Sequence, residues 1–281
     1  MTPSKRWKWI LIAGSSVLLL GGLAIVRLLP ALGVEKQVRA LRASGSPATA
    51  LELDLWYKRV PAAENGALPV LEAALLLVQA PTGGPLNSRQ DVPEPGEPFS
   101  DELRSALRKH LENNRPALIA LEGLNPSLSA RYPMDLSAGP STLLPHLSQI
   151  KSLAKLLQLE AIDAALSGDS ERATQALLAG LAVSQTLVDE PLLISQLVRV
   201  AGVVFTLEAM QHVLSLAHLS DQQLSRLNEA VLQSETLGRD AFRRAMIGER
   251  ALGLSIFEMP PGELERVIGG NGPSSFEEVI R

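Results

Sequence analysis

Four places in this chain hold side chains whose types and spacing could do chemistry. The first is the loop Arg131-Tyr132-Pro133-Met134-Asp135, with Leu144-Pro145-His146-Leu147 following it. It collects a guanidinium, a phenol, a carboxylate and an imidazole in irregular chain, where binding groups are often held on a rigid scaffold. A hydrolase or small-ligand site around 131–146 would rest on Arg131, Tyr132, Asp135 and His146. The competing account, that Tyr132 and His146 tie the loop to the body by hydrogen bonds, is preferred. No nucleophile, base and orienting group can be assigned together.

The second place is Arg199, one turn from Ser195 and Gln196 in an apolar stretch. A guanidinium taken out of water needs a carboxylate, and Glu160, Asp163 and Glu190 are the candidates. A buried polar lock of Arg199, Glu160, Asp163 and Glu190 is therefore expected before a substrate clamp. In the third place, Glu208 and His212 share a helical face and His218 follows, a set that could gather around a metal. Scattered ligands without tight spacing fit a solvated helix end better, so no metal is expected. The fourth is a pair of S-x-x-K matches, Ser148 to Lys151 and Ser152 to Lys155. Each could place a serine beside a lysine base, but the accompanying S-D-N and K-T-G motifs are missing.

Beyond these, the search for chemistry returns absences. There is no G-x-x-x-x-G-K-[ST], dinucleotide fingerprint, H-E-x-x-H or G-x-S-x-G. The chain has no cysteine, which removes disulfides, thiolate nucleophiles and Cys-type zinc sites. The expectation is a protein without catalysis and without a cofactor.

The 281 residues carry a net charge of −4, which hides a split: residues 1–42 hold +6 and residues 43–281 hold −10. The acidic body argues against nucleic acid as a partner. Trp9 to Val26 is an uncharged run of 18 residues, at the threshold for a spanning helix. Lys5, Arg6, Trp7, Lys8 and Trp9 form the membrane-interface residues expected where cations and amphipathic rings meet headgroups. A cleaved signal peptide with Gly22-Leu23-Ala24 at its end is the rival, but the apolar run continues through that site. The resulting division is a basic cytoplasmic tail (1–8), a transmembrane anchor (9–29), an exported helical domain (30–257) and an irregular C-terminal segment (258–281) that looks truncated.

The body reads as all-α: apolar spacings of three and four recur, and no β-branched alternation is sustained. An irregular bundle or short α-solenoid of αα-hairpins is expected, broken by Pro/Gly-rich loops at 81–99 and 123–140. Gly45 should end the helix leaving the anchor. Ser46-Pro47 should open a short helix through Tyr57, and Asn65 should cap one carrying Leu68, Leu71, Leu75, Leu76 and Val78. Ser100 should start a helix running to about Leu121 with a bend at Pro116. The strongest pattern is an αα-hairpin of 141–166 and 171–188 joined by Ser167-Gly168-Asp169-Ser170. The spacing of Ala161, Gly168, Asp169, Ala173, Leu177 and Gly180 resembles one tetratricopeptide hairpin, with small residues closing the pair. Residues 191–216 are apolar on nearly every side and should form the central buried helix. Ser220 to Gln223 resembles a capping box opening a helix to about Glu235, with another from Leu237 to Phe257.

Several phrases together resemble a group of uncharacterised bacterial envelope proteins: Trp56-Tyr57, R-Y-P-x-D at 131–135, L-P-H-L at 144–147, E-P-L-L-I-S-Q-L-V-R at 190–199 and G-E-R-A-L-G-L at 248–254. That group consists of single-anchor, all-helical proteins with no established activity, so the resemblance supplies no catalytic residue. It implies a single-pass protein of the inner membrane with its body on the periplasmic side. Its partners would be the bilayer through residues 9–29 and another envelope protein or a second copy.

Overall fold

The structure, a computed structural model, describes residues 34–80, 84–86, 92–124 and 129–257. The expected tail and anchor, including Lys5, Arg6, Trp7, Lys8 and Trp9, and the segment 258–281 lie outside the described residues. The chain separates into two compact units, Met1–Ala48 and Thr49–Arg281.

In the first unit, residues 34–43 are helical. Gly45 ends that helix with a left-handed φ of 75°, and the Ser46 N–H reaches back to the Leu41 carbonyl at 3.0 Å.

The second unit is helical throughout, with no strand among the described residues. Its elements are α1 (Ala50–Trp56), α2 (Ala67–Leu76), α3 (Asp101–Asn113), α4 (Arg115–Ala120), α5 (Pro145–Leu166), α6 (Ser170–Gln185), α7 (Leu193–Leu216) and α8 (Asp221–Ile256). Two 3-10 turns, Ala62–Glu64 and Leu136–Ser141, join them. Thr49 caps α1, its hydroxyl accepting from the Glu52 N–H at 3.2 Å, so that helix starts later than Ser46-Pro47.

The α5–α6 hairpin forms where its turn chemistry places it. Gly168 takes a φ of 76°, and the Asp169 carboxylate accepts from the Arg172 N–H at 3.0 Å. Gly180, however, closes α6 against α7 rather than against α5. A Cβ there would stand 2.6 Å from Thr206 Oγ1, and one at Gly202 would collide with Ser184 Oγ. Each hydroxyl donates back within its own helix, Ser184 to the Gly180 carbonyl at 2.8 Å and Thr206 to the Gly202 carbonyl at 3.0 Å. The two hydroxyls are thereby satisfied locally while each covers the glycine of the other helix.

The central helix is α5 and not α7. Residues 156–165 of α5 are all buried, including Gln158, Glu160 and Asp163, because α3, α2, α6 and α7 all pack on it. Helix α7 packs on α5, α6 and α8 and leaves Leu197, Val200, Val204, Leu207 and Leu214 exposed. It is the one helix among the described residues long and apolar enough to cross a membrane, by length and composition.

Three further elements differ from the sequence expectation. Helix α2 turns Ala67, Val70 and Ala73 inward and exposes Leu68, Leu75 and Leu76, with Val78 exposed just beyond its end, since small side chains let it lie close on α4 and α5. The helix that Ser100 caps stops at Asn113, ahead of Pro116. At the break, Asn114 is fully buried and clamps Val78, accepting from its N–H at 2.7 Å and donating to its carbonyl at 2.9 Å. The two helices expected after Ser220 are one of 36 residues, opened by the Ser220–Gln223 capping box and continuous through Gly238.

Candidate functional site

The loop at 131–146 is built from reciprocal hydrogen bonds to distant segments. Asn65 accepts from the Arg131 N–H and donates to its carbonyl, both at 2.9 Å. The Arg131 guanidinium pairs with Asp54 at 3.0 Å, donates to the Tyr57 carbonyl and lies 4.3 Å over the Tyr57 ring. Asp135 caps the following 3-10 turn, accepting from the Ser137 N–H at 3.0 Å. Tyr132 stacks on His146 at 4.5 Å with rings 10° from parallel, and its hydroxyl meets Thr186 Oγ1 at 2.7 Å. Burial pushes the Tyr57 and Tyr132 hydroxyls well above their ordinary range, so both act as neutral hydrogen-bonding groups.

His146 leads to a deeply buried polar cluster. Its Nε2 lies 3.0 Å from Glu190, a carboxylate with no exposure. Ser195 donates to the same carboxylate at 2.5 Å, and Gln196 donates to the Leu187 and Glu190 carbonyls at 2.8 and 2.9 Å. Serine, carboxylate and imidazole are present but in the wrong order for nucleophilic catalysis. The carboxylate sits between the other two, so the serine proton is directed to Glu190 and not to an imidazole base. The structure gives Arg131, Asp135 and His146 separate protein partners, Asp54, Ser137 and Glu190.

The expected lock also resolves differently. Arg199 is buried, yet its Nε donates to Gln196 Oε1 at 2.8 Å, and its guanidinium lies against Gly238 and 6.0 Å from the Phe242 ring of α8. Glu190 belongs to His146 and Ser195. Glu160 and Asp163 face Arg172, at 3.5 and 2.5 Å, with Arg115 and Arg108 each at 3.8 Å. The phase of α5 separates the partners: its carboxylates face arginines of α3, α4 and the start of α6, whereas Arg199 faces α8. Asn65, Asn114 and Gln196, which organise these contacts, carry no local signal in the sequence beyond a capping asparagine.

The S-x-x-K residues and two of the three candidate metal ligands meet at a cavity of about 740 Å³. Ser148, Lys151, Ser152, Lys155, Glu208 and His212 all line it. The Ser148 hydroxyl donates to the Pro145 carbonyl at 3.1 Å, Lys155 Nζ to the Leu86 carbonyl at 2.9 Å, and Gln158 to Glu208 at 3.3 Å. His110 also lines this wall; burial, then the nearby Lys155, lowers its imidazole from the usual range. His218 is exposed beyond α7 and does not line the cavity. Among the described residues, no group of three His, Asp or Glu side chains could hold a metal ion. Comparison with protein-family models, curated proteins and solved structures finds no match to this chain.

Proposed function

We propose that this chain is a membrane-tethered helical interaction domain of the bacterial cell envelope, without catalysis. Residues 9–29 span the inner membrane, and the helical body outside it presents a binding face to another envelope protein or to its own copy. The observation that carries this reading is the outward stripe of α7. Leu197, Val200, Val204, Leu207 and Leu214 recur at helical spacing and stay exposed although the opposite face of α7 is packed. Phe242 and Met246 of the neighbouring α8 are exposed as well. An apolar stripe on one face of a packed helix is the form an interaction surface takes. A second span through α7 has less support. Arg199 and Glu208 interrupt it, and its other faces pack on α5, α6 and α8.

The hydrolase reading around 131–146 has less support because Arg131, Tyr132 and His146 are each engaged by side chains outside that loop. The test is a photo-crosslinking residue at Val204 of the full chain in native membranes. A reproducible adduct with one protein, or with a second copy, is the expected result. No adduct, together with a monomeric solubilised protein, overturns the proposal.

A further inference from the structure

The second cavity, about 650 Å³, is built differently from the first. It lies where α4 and α8, which have no substantial packing against each other, line the same cleft over α5 and α6. Leu118, Leu121, Leu157 and Leu181 form its floor, all almost fully buried, with Ala176 and Ala179 beside them. The apolar floor has a charged rim in which three arginines, Arg115, Arg172 and Arg226, outnumber two glutamates, Glu122 and Glu160, so the cleft has the volume and the excess cation of a site for an anion with an apolar body.

Two polar groups at this cleft, Arg115 and Gln185, are under-used. The Arg115 side chain is 55% exposed, and its nearest carboxylates, Glu160 and Glu122, stand 3.8 and 4.0 Å away, beyond hydrogen-bond reach. Glu160 is also engaged by Arg172 at 3.5 Å. Arg115 therefore keeps the fork of donors that suits a carboxylate. Arg226 also lines the cleft, with one of its nitrogens held by Glu171 at 2.9 Å. Deeper in, Gln185 is only 5% exposed; its Nε2 donates to Ser234 and its Oε1 is buried without a partner. A buried acceptor left unmade costs stability that a donor on a ligand can recover.

We infer that this cleft binds an acidic amphiphile, with a carboxylate at Arg115 and an apolar body that lies along the leucine floor toward Gln185. The site is separate from the α7 face and does not depend on it. The test uses the full chain in lipid nanodiscs and N-octanoylglycine carrying a diazirine on its acyl chain. Photolabelling is expected in the peptides holding Leu118–Leu124 and Ala176–Gln185. Unlabelled N-octanoylglycine should compete it away and octyltrimethylammonium should not. Arg115→Gln removes a charge-assisted pair and should weaken labelling about tenfold or more. Ala230→Phe, which fills the cleft from α8, should abolish it with the melting temperature retained. Labelling outside the cleft, equal competition by the cationic analogue, or undiminished labelling of folded Ala230→Phe each overturns the inference.

Discussion

The polar groups around Glu190 and those around Gln185 lie at the same end of α6 and are treated in opposite ways. Around Glu190 the carboxylate is fully engaged: His146 Nε2 and Ser195 meet it, and Gln196 ties the backbone at Leu187 and Glu190, in a cluster closed by the Tyr132 ring that leaves His146 Nδ1 buried without a partner. Around Gln185 one acceptor has no partner, and further along the same cleft Arg115 has carboxylates only at a distance. Chemically rich residues therefore do not mark the open site. The loop at 131–146 has the more reactive side chains, yet they hold the chain together, while a plainer set of leucines, one amide and one arginine leaves binding capacity in reserve.

That contrast can be broken most forcefully at Glu190. Glu190→Ala strands a buried imidazole and hydroxyl and should cost about 3–5 kcal/mol, read by urea denaturation. A loss under about 1 kcal/mol would mean the cluster is not a lock. The α6–α7 seam comes next. Gly202→Ala drives a methyl group into Ser184 and should cost about 1–3 kcal/mol in the same assay, whereas Gly253→Ala, with open space around it, should not.

Titration sharpens the comparison from the side of the cleft. Burial, offset in part by Arg172 and Arg115, holds the Glu160 carboxyl above its usual range. The folded state then binds that proton more readily than the unfolded one, so Glu160 adds stability as pH falls through its raised value and removes it on the way up. Glu160→Gln should accordingly raise the melting temperature near neutral pH, with the gain vanishing in acid; a lowered melting temperature at neutral pH would contradict this. His110 has the opposite sign. Its imidazole is held below 6.5, so its contribution is present above that pH and lost as pH falls below it. His110→Gln should flatten the acid limb of the melting curve below that point. The smallest effect is expected for Arg115→Gln, within about 0.5 kcal/mol in stability, because its ion pairs are long and half-exposed.

How far the residues alone reveal this molecule depends on the range of each signal. The left-handed glycines at 45 and 168, the caps at Ser100 and Asp169 and the capping box at Ser220 act within one helical turn, and each stands where its residue type places it. The 131–146 loop was legible as a polar cluster tied to the body through Tyr132 and His146. Its partners were not, because Asn65, Thr186 and Glu190 reach it from 44 to 66 residues away. The unequal faces of α7 were hidden for a related reason: an apolar residue has the same type whether a neighbour covers it or not.

The sequence by itself therefore determined a helical body, its turns and most of its helix boundaries, because caps, glycine backbone and proline act locally. Which helix is central, which carboxylate meets which guanidinium and which polar groups stay unspent were decided only by the tertiary structure. Those outcomes depend on the phase at which one helix faces another, and Gly180 meeting Thr206 rather than a residue of α5 shows that phase being set by close packing.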